Sequence, residues 1–70
     1  MFTRTTFYFN GNEYFTEKSI TLKDLLDYFN YHSSIFVVEY NNFICNKKNW
    51  KEIKIKKNDT IEIITIVGGG

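Results

Sequence analysis

Proline and alanine are absent from this sequence, and cysteine and histidine occur once each, as Cys45 and His32. A single cysteine excludes an internal disulfide, and one cysteine with one histidine cannot form a recognisable zinc site. The chain also lacks a basic-then-apolar leader and any apolar run near the ~20 residues that span a bilayer. We therefore expect no bound metal and no membrane contact.

The charges are nearly balanced, with nine basic and eight acidic residues and a net charge of +1. This balance gives no general attraction to nucleic acid or to an anionic membrane. Lysines do cluster from Lys47 to Lys57, opposed there only by Glu52. A solvated surface is the simplest interpretation of the cluster, and an acidic protein partner or a nucleic-acid backbone remains an alternative.

Seventy residues, 43% of them hydrophobic, are enough for one small globular domain. The abundance of Ile, Lys, Asn, Phe and Tyr suggests an AT-rich genome, plastid or bacterial. With a single cysteine and no leader, we expect a reducing location, either the cytoplasm or, for an organelle-encoded chain, the plastid stroma.

The first half of the chain predicts a hairpin followed by a helix. Phe7 and Phe9 alternate with polar residues, and Asn10-Gly11 suits a type I′ turn into a second strand. An apolar stripe at helical spacing follows, with Ser19 or Thr21 as the N-cap and Asp24 and Asp27 in the early turns. The stripe is formed by Leu22, Leu25, Leu26 and Phe29.

The second half predicts three more strands, at 35–40, 43–45 and 60–67, with a tight turn at Asn41-Asn42. Between the last two, Trp50, Ile53 and Ile55 should anchor a polar loop or short helical turn. The order β-β-α-β-β-β, with one helix that needs one sheet face, predicts an α+β fold. It is the β-grasp arrangement of ubiquitin-like proteins, a mixed sheet packed on one helix, in residues 1–67, with residues 68–70 as a flexible glycine tail.

No catalytic site emerges from the residues. We expect His32 to face solvent at the helix end, and Cys45 to act as a small hydrophobe. The three glycines do not form a nucleotide loop, since no helix follows them. A side-chain-free strip can enter a narrow slot and present its terminal carboxylate, and a predicted β-grasp domain before it favours such a functional tail over an untidy end.

The sequence resembles the ThiS sulfur carriers, ubiquitin-like proteins of thiamine biosynthesis, over about residues 7–70. The resemblance rests on NG at 10–11, ITLKDLLDYF at 20–29, VVEYNNFICNKKNW at 37–50 and NDTIEIITIVGGG at 58–70. The family often has Asp-Gly-Asp before its last strand. Asn58 stands in the glycine's place, and it can adopt the left-handed backbone that this turn requires.

The resemblance implies a sulfur cycle in which the protein is a substrate and not an enzyme. An E1-like adenylyltransferase of the ThiF type would use ATP to adenylate the carboxylate of Gly70, with Gly68 and Gly69 in its channel. Sulfur drawn from cysteine by a desulfurase would then give a thiocarboxylate, which a thiazole synthase of the ThiG type would consume. No cofactor would be bound to the carrier itself.

Alternation along the strands adds a predicted docking surface and leaves three alternatives open. Tyr8, Ile64 and Ile66 should lie on the sheet face away from the helix, with the first and last strands as neighbours.

A molybdopterin-synthase type of sulfur carrier and a ubiquitin-like protein modifier share the fold and the tail. A small binding module that uses the lysine-rich stretch is the alternative from another class.

Overall fold

The computed structural model describes residues 4–32 and 36–65, and within them five strands form one mixed sheet beside one α-helix. The elements are β1 (Thr5–Phe9), β2 (Asn12–Thr16), α1 (Leu22–Tyr28), β3 (Phe36–Tyr40), β4 (Phe43–Cys45), a 3₁₀ helix (Lys47–Glu52) and β5 (Thr60–Thr65). The strand order is β2-β1-β5-β3-β4, in which β1 and β5 run parallel and the other neighbours antiparallel. This confirms the β-grasp prediction.

Asparagine supplies most of the left-handed backbone in the turns. Asn10 and Gly11 have φ angles of 52° and 82°, and Asn41 and Asn42 have φ angles of 52° and 74°. Positive φ at both central residues is the mark of a type I′ turn, whose twist matches the strands that it joins. Asn58 also has a positive φ, 68°. All three predicted turns are confirmed.

The N-terminus of α1 is closed by a capping box. The Thr21 hydroxyl accepts from the backbone N–H of Asp24 at 3.1 Å, and the Asp24 carboxylate accepts from the backbone N–H of Thr21 at 2.9 Å. These bonds satisfy two donors that a helix start leaves without partners. The backbone N–H of Thr21, and then its hydroxyl, hold the pKa of Asp24 below its usual value. The prediction of Thr21 as a cap is confirmed.

The C-terminus of α1 corrects the prediction for Asp27. The helix ends at Tyr28 in a Schellman motif, in which Tyr31 N–H donates to Leu26 C=O and Asn30 N–H donates to Asp27 C=O. Asp27 therefore lies in the last turn and not an early one. There its carboxylate is 2.8 Å from Lys23 Nζ, which offsets an unfavourable helix dipole.

No helix in residues 4–32 and 36–65 is long and apolar enough to cross a bilayer.

The core lies between α1 and the inner face of the sheet. All four members of the predicted helical stripe pack there, three of them buried and Phe29 half-buried. Phe29 stacks on Phe9 with ring centroids 4.9 Å apart. Large aromatic rings let a domain of this size bury enough apolar surface. The buried apolar residues are Phe7, Phe9, Leu22, Leu25, Leu26, Val38, Trp50, Ile55 and Ile61.

The polar stretch after β4 closes one side of this core, as predicted. Trp50 is buried in the 3₁₀ helix and stacks on Phe36 at 5.8 Å. The stretch is also bonded to the start of α1, because Leu22 N–H donates to Ile53 C=O at 2.8 Å. Ile55 is buried and Ile53 half-buried, so the three predicted anchors do hold the segment.

Candidate functional site

The strand that leads to the predicted tail is the central strand of the sheet. β5 lies between β1 and β3, which confirms that the first and last strands are neighbours. Thr60 pairs with Tyr8 of β1, and Thr65 pairs with Phe36 of β3. The start of β5 is therefore paired on both sides, whereas toward Thr65 its backbone is paired with β3 alone. The predicted end of this strand and the tail lie outside the described residues, namely Ile66, Val67, Gly68, Gly69 and Gly70.

A buried carboxylate fixes the turn that starts β5. Asp59 is 7% exposed and accepts from the backbone N–H of Lys56 at 2.7 Å and from Asn41 Nδ2 at 3.0 Å. It also accepts from the Tyr40 hydroxyl. Burial, with this bond to Asp59 second, raises the pKa of Tyr40 above its usual value. Because Tyr40 and Asn41 lie at the end of β3 and Lys56 lies in the turn itself, the network ties the turn to β3.

Two turn asparagines hold β5 through their side chains. Asn41 Oδ1 accepts from the backbone N–H of Thr60 at 2.8 Å, and Asn10 Oδ1 accepts from that of Ile63 at 2.9 Å. Each asparagine thus serves two purposes, since its backbone supplies the left-handed turn and its amide bonds the neighbouring strand. A glycine at either position would supply the turn alone.

The sheet face away from α1 is the open face, and it contains the predicted docking residues that the structure describes. Tyr8 is half-buried and Ile64 is 40% exposed, while Ile66 lies outside the described residues. Strand register adds Phe15 and Ile44, which are 55% and 64% exposed. Sequence reasoning missed these two, although alternation in β2 and β4 carried the signal. These apolar side chains are spread from one edge of the open face to the other, with Glu39 and Glu62 among them.

The helix side of the molecule carries the other residues that the sequence singled out. His32 is exposed, with its Nδ1 3.5 Å from Asp27, and Cys45 is half-buried, where burial raises the pKa of its thiol. Lysines 47, 48 and 51 line an open cleft with His32. In the described part of the chain no group of three or more His, Cys, Asp or Glu side chains is placed to hold a metal ion. These positions match a solvated surface and a small hydrophobe.

Comparison with known proteins decides the family. The model of the ThiS family matches residues 7–70. The chain belongs to the ThiS family of sulfur carriers. It is 38% identical over 50 residues to the sulfur carrier protein ThiS of Bacillus subtilis, covering 71% of this chain and 76% of that one. It is also 63% identical over 68 residues to the uncharacterized protein ycf40 of Trieres chinensis, covering 97% and 93%.

The ThiS fold is also recognised in a solved structure. The crystal structure of the thiamine biosynthesis protein ThiS from Geobacter metallireducens superposes with a TM-score of 0.79 at 20% identity. The match covers 94% of this chain and 100% of that one. It establishes the ubiquitin-like β-grasp fold of this ThiS-family chain.

Proposed function

We propose that this ThiS-family protein carries sulfur for thiazole formation in thiamine biosynthesis, loaded on the carboxylate of Gly70. The observation that carries the proposal is the family match, which runs through Gly70 and includes a Bacillus relative named as a sulfur carrier. The name of the Geobacter structure adds thiamine biosynthesis. In this proposal the protein is a substrate of partner enzymes and not an enzyme itself.

The chemistry begins at the chain terminus, because a carboxylate alone is a poor acyl donor. One carboxylate oxygen of Gly70 attacks the α-phosphate of ATP on a ThiF-type adenylyltransferase, which releases pyrophosphate and leaves an acyl-adenylate. A desulfurase transfers the sulfur of cysteine to an enzyme thiol as a persulfide, and the terminal sulfur of that persulfide displaces AMP to give an acyl disulfide. A thiol reductant then cleaves the S–S bond, which releases the enzyme thiol and leaves the thiocarboxylate on Gly70. The resulting thiocarboxylate gives its sulfur to a ThiG-type thiazole synthase, and the carrier leaves as the free acid.

The fold supports this role by giving the tail a firm base. A partner must hold the terminal carboxylate in line with a phosphate, and positional errors of about 1 Å can cost ~100-fold in rate. Gly68 and Gly69 would pass through the enzyme channel without side chains to exclude them. The Asp59 network and the two turn asparagines fix the strand from which the tail extends.

The relatives also support a location. Proteins named ycf40 occur in Trieres chinensis, Pyropia yezoensis and Porphyra purpurea, at 63%, 34% and 33% identity to this chain. The prefix ycf is given to reading frames of plastid genomes. The proposed site of action is therefore the plastid stroma, where a partner adenylyltransferase, desulfurase and thiazole synthase would have to be present.

Intact mass spectrometry tests the proposed function. After incubation with the adenylyltransferase, ATP, cysteine, a desulfurase and a thiol reductant, we expect a mass increase equal to sulfur minus oxygen, located at Gly70 by fragmentation. The matched control omits ATP and should show no change. An unmodified terminus, with pyrophosphate released from a known carrier in the same assay, would contradict the proposal. A mass increase on a lysine of another protein, joined to Gly70, would identify a protein modifier instead.

The open face should be the surface that the adenylyltransferase binds. Ile64 is exposed there, so Ile64→Glu should change the free energy of unfolding by less than about 1 kcal/mol. A charge in an apolar contact should raise the KM for the carrier about tenfold or more, which steady-state pyrophosphate release would measure. Tyr28→Glu is the matched control, since Tyr28 is 79% exposed on α1. Equal KM values for the two variants would exclude the open face as the surface that the adenylyltransferase binds.

A further inference from the structure

Two glutamates face each other at the centre of the open face. Glu39 of β3 and Glu62 of β5 are directly opposite in the antiparallel ladder. Their neighbours Val38 and Ile61 are buried on the inner face, so both glutamates point to the open face. Side chains directly opposite on one face have Cβ atoms about 4.5–5.5 Å apart, and like charges at that spacing destabilise a sheet. The pair is therefore a cost to the isolated domain.

Nothing in the described part of the chain neutralises this pair. The ion pairs found there join Asp27 to Lys23 and to His32, on the helix side. Arg4 lies over the ring of Phe15, 4.2 Å from its centroid, at the β2 edge of the sheet. Residues 4–32 and 36–65 thus leave both carboxylates without a cationic partner.

Apolar side chains flank the pair toward β4 and toward the tail, while Asn41 and Thr60 form the polar row toward the start of β5. Ile44 of β4 is opposite Glu39, and the next row toward the tail holds Val37 opposite Ile64. A partner that covers these side chains also excludes water from the carboxylates, which strengthens an ion pair formed between them. A charged pair bordered by exposed apolar side chains suits a specific contact better than a general solubilising surface.

The negative charge of the pair determines which kind of partner can cover this face. A second copy of the chain on a two-fold axis would bring one acidic pair against another, so self-association through this face is disfavoured. A cationic group is complementary, and guanidinium fits best because its planar fork of donors can bond two carboxylates at once. An ammonium group offers a point charge without that geometry.

We propose that Glu39 and Glu62 together bind an arginine side chain of the activating adenylyltransferase, an inference that rests on the proposed function. Repulsion between the two carboxylates destabilises the free domain, and the arginine relieves this repulsion in the complex. The contact lies on the strand that leads to the tail, so it would orient the carrier for entry of Gly70. The contact would determine which enzyme the carrier binds, whereas the tail would carry the reacting carboxylate.

Calorimetric binding to the ThiF-type adenylyltransferase tests this contact without requiring catalysis. The double variant E39Q/E62Q should raise the Tm by roughly 1–5 °C, because the repulsion is removed. Its Kd for the enzyme should rise about tenfold or more, because the arginine loses its charged acceptors on docking. E13Q is the matched control, since Glu13 is on the open face but lies opposite Tyr8. It should leave both the Tm and the Kd near the values of the unaltered chain.

A second variant separates docking from stability. E39K places a cation opposite Glu62, so the Tm should rise while the Kd increases more than in E39Q/E62Q. Stability and affinity then move in opposite directions, which a misfolded variant cannot produce. Kd values unchanged in both variants, or no binding of the unaltered carrier, would overturn the proposed contact. A carrier that binds with the expected Kd pattern but is never adenylated would support the contact and refute the sulfur-carrier proposal.

Discussion

Deletion of Gly70 is expected to lower the rate of adenylation by about 100-fold or more. The shortened chain still ends in a glycine carboxylate, Gly69, but that group stops one residue, up to ~3.6 Å, short of the phosphate. Displacements of about 1 Å are enough to cost ~100-fold when two reacting groups must be aligned. Pyrophosphate release and intact mass, measured at saturating carrier, report the loss.

A second variant that tests the position of the terminus is a chain lengthened by one glycine after Gly70. It has the same composition at its end and should lose adenylation as well, because the carboxylate is again misplaced. Both variants should keep the Tm and the Kd for the adenylyltransferase, since the open face is unaltered. A shortened chain that gains sulfur at the unaltered rate would show that the position of the terminus does not matter, and would remove the central argument for the tail.

Replacement of Asp59 with alanine should destabilise the domain by about 2–4 kcal/mol, measured as the shift of the urea midpoint. The change removes the acceptor of the Tyr40 hydroxyl, of Asn41 Nδ2 and of the Lys56 backbone N–H. Buried donors left without partners cost ~1–3 kcal/mol each before relaxation. Domains of this length have stabilities of only about 4–10 kcal/mol, so a large share would be lost. Asp27→Ala, which removes an exposed carboxylate, should cost less than about 1 kcal/mol.

The pH dependence of this deficit gives an independent check on the network. The pKa of Tyr40 is raised in the folded state, by burial first and by the Asp59 bond second. A raised pKa adds stability below the unfolded value of about 10, and that stability falls as the pH rises above it, because the unfolded chain loses the proton first. Asp59→Ala removes the bond but leaves Tyr40 buried, so just above pH ~10 both proteins should lose stability in parallel. The difference between them should narrow only above the folded-state pKa of Tyr40 in the variant, which lies below that of the unaltered chain. Equal tyrosinate titration curves for Tyr40 in the two folded proteins would show that the Tyr40 bond contributes little.

Local patterns account for most of the correct predictions. The leucine spacing predicted α1, and Asn10-Gly11 and Asn41-Asn42 predicted the hairpins, since these signals lie within a few residues of each other. Asp27 was placed wrongly because α1 has only seven residues, Leu22–Tyr28, so a residue assigned to the early turns lies in the last one. Asn30, with its φ of 64°, follows the helix as the predicted exit. Helix ends depend on such single residues more than on the stripe.

The site was predicted less completely because its parts come from distant segments. Tyr8 and Ile64 follow from alternation within one strand, which the sequence displays. The Asp59 network and the Glu39–Glu62 pair depend on which strands are neighbours and in which register. Residues 39 and 62 are far apart in the chain, so only the assembled sheet shows that two like charges oppose each other.

The central position of β5 also determines how the domain responds to tension on its C-terminus. A partner that draws the tail inward applies tension along β5, and the backbone bonds to β3 cross that direction and resist it in shear. The side-chain bonds from Asn10 to Ile63 and from Asn41 to Thr60 act as cross-ties on either flank. The ladder to β3 extends to Thr65, and β1 adds backbone pairs at Thr60 and Ile61. Tension on the terminus would therefore load several hydrogen bonds at once, so we expect the force to move the whole domain toward the partner before it frees the strand.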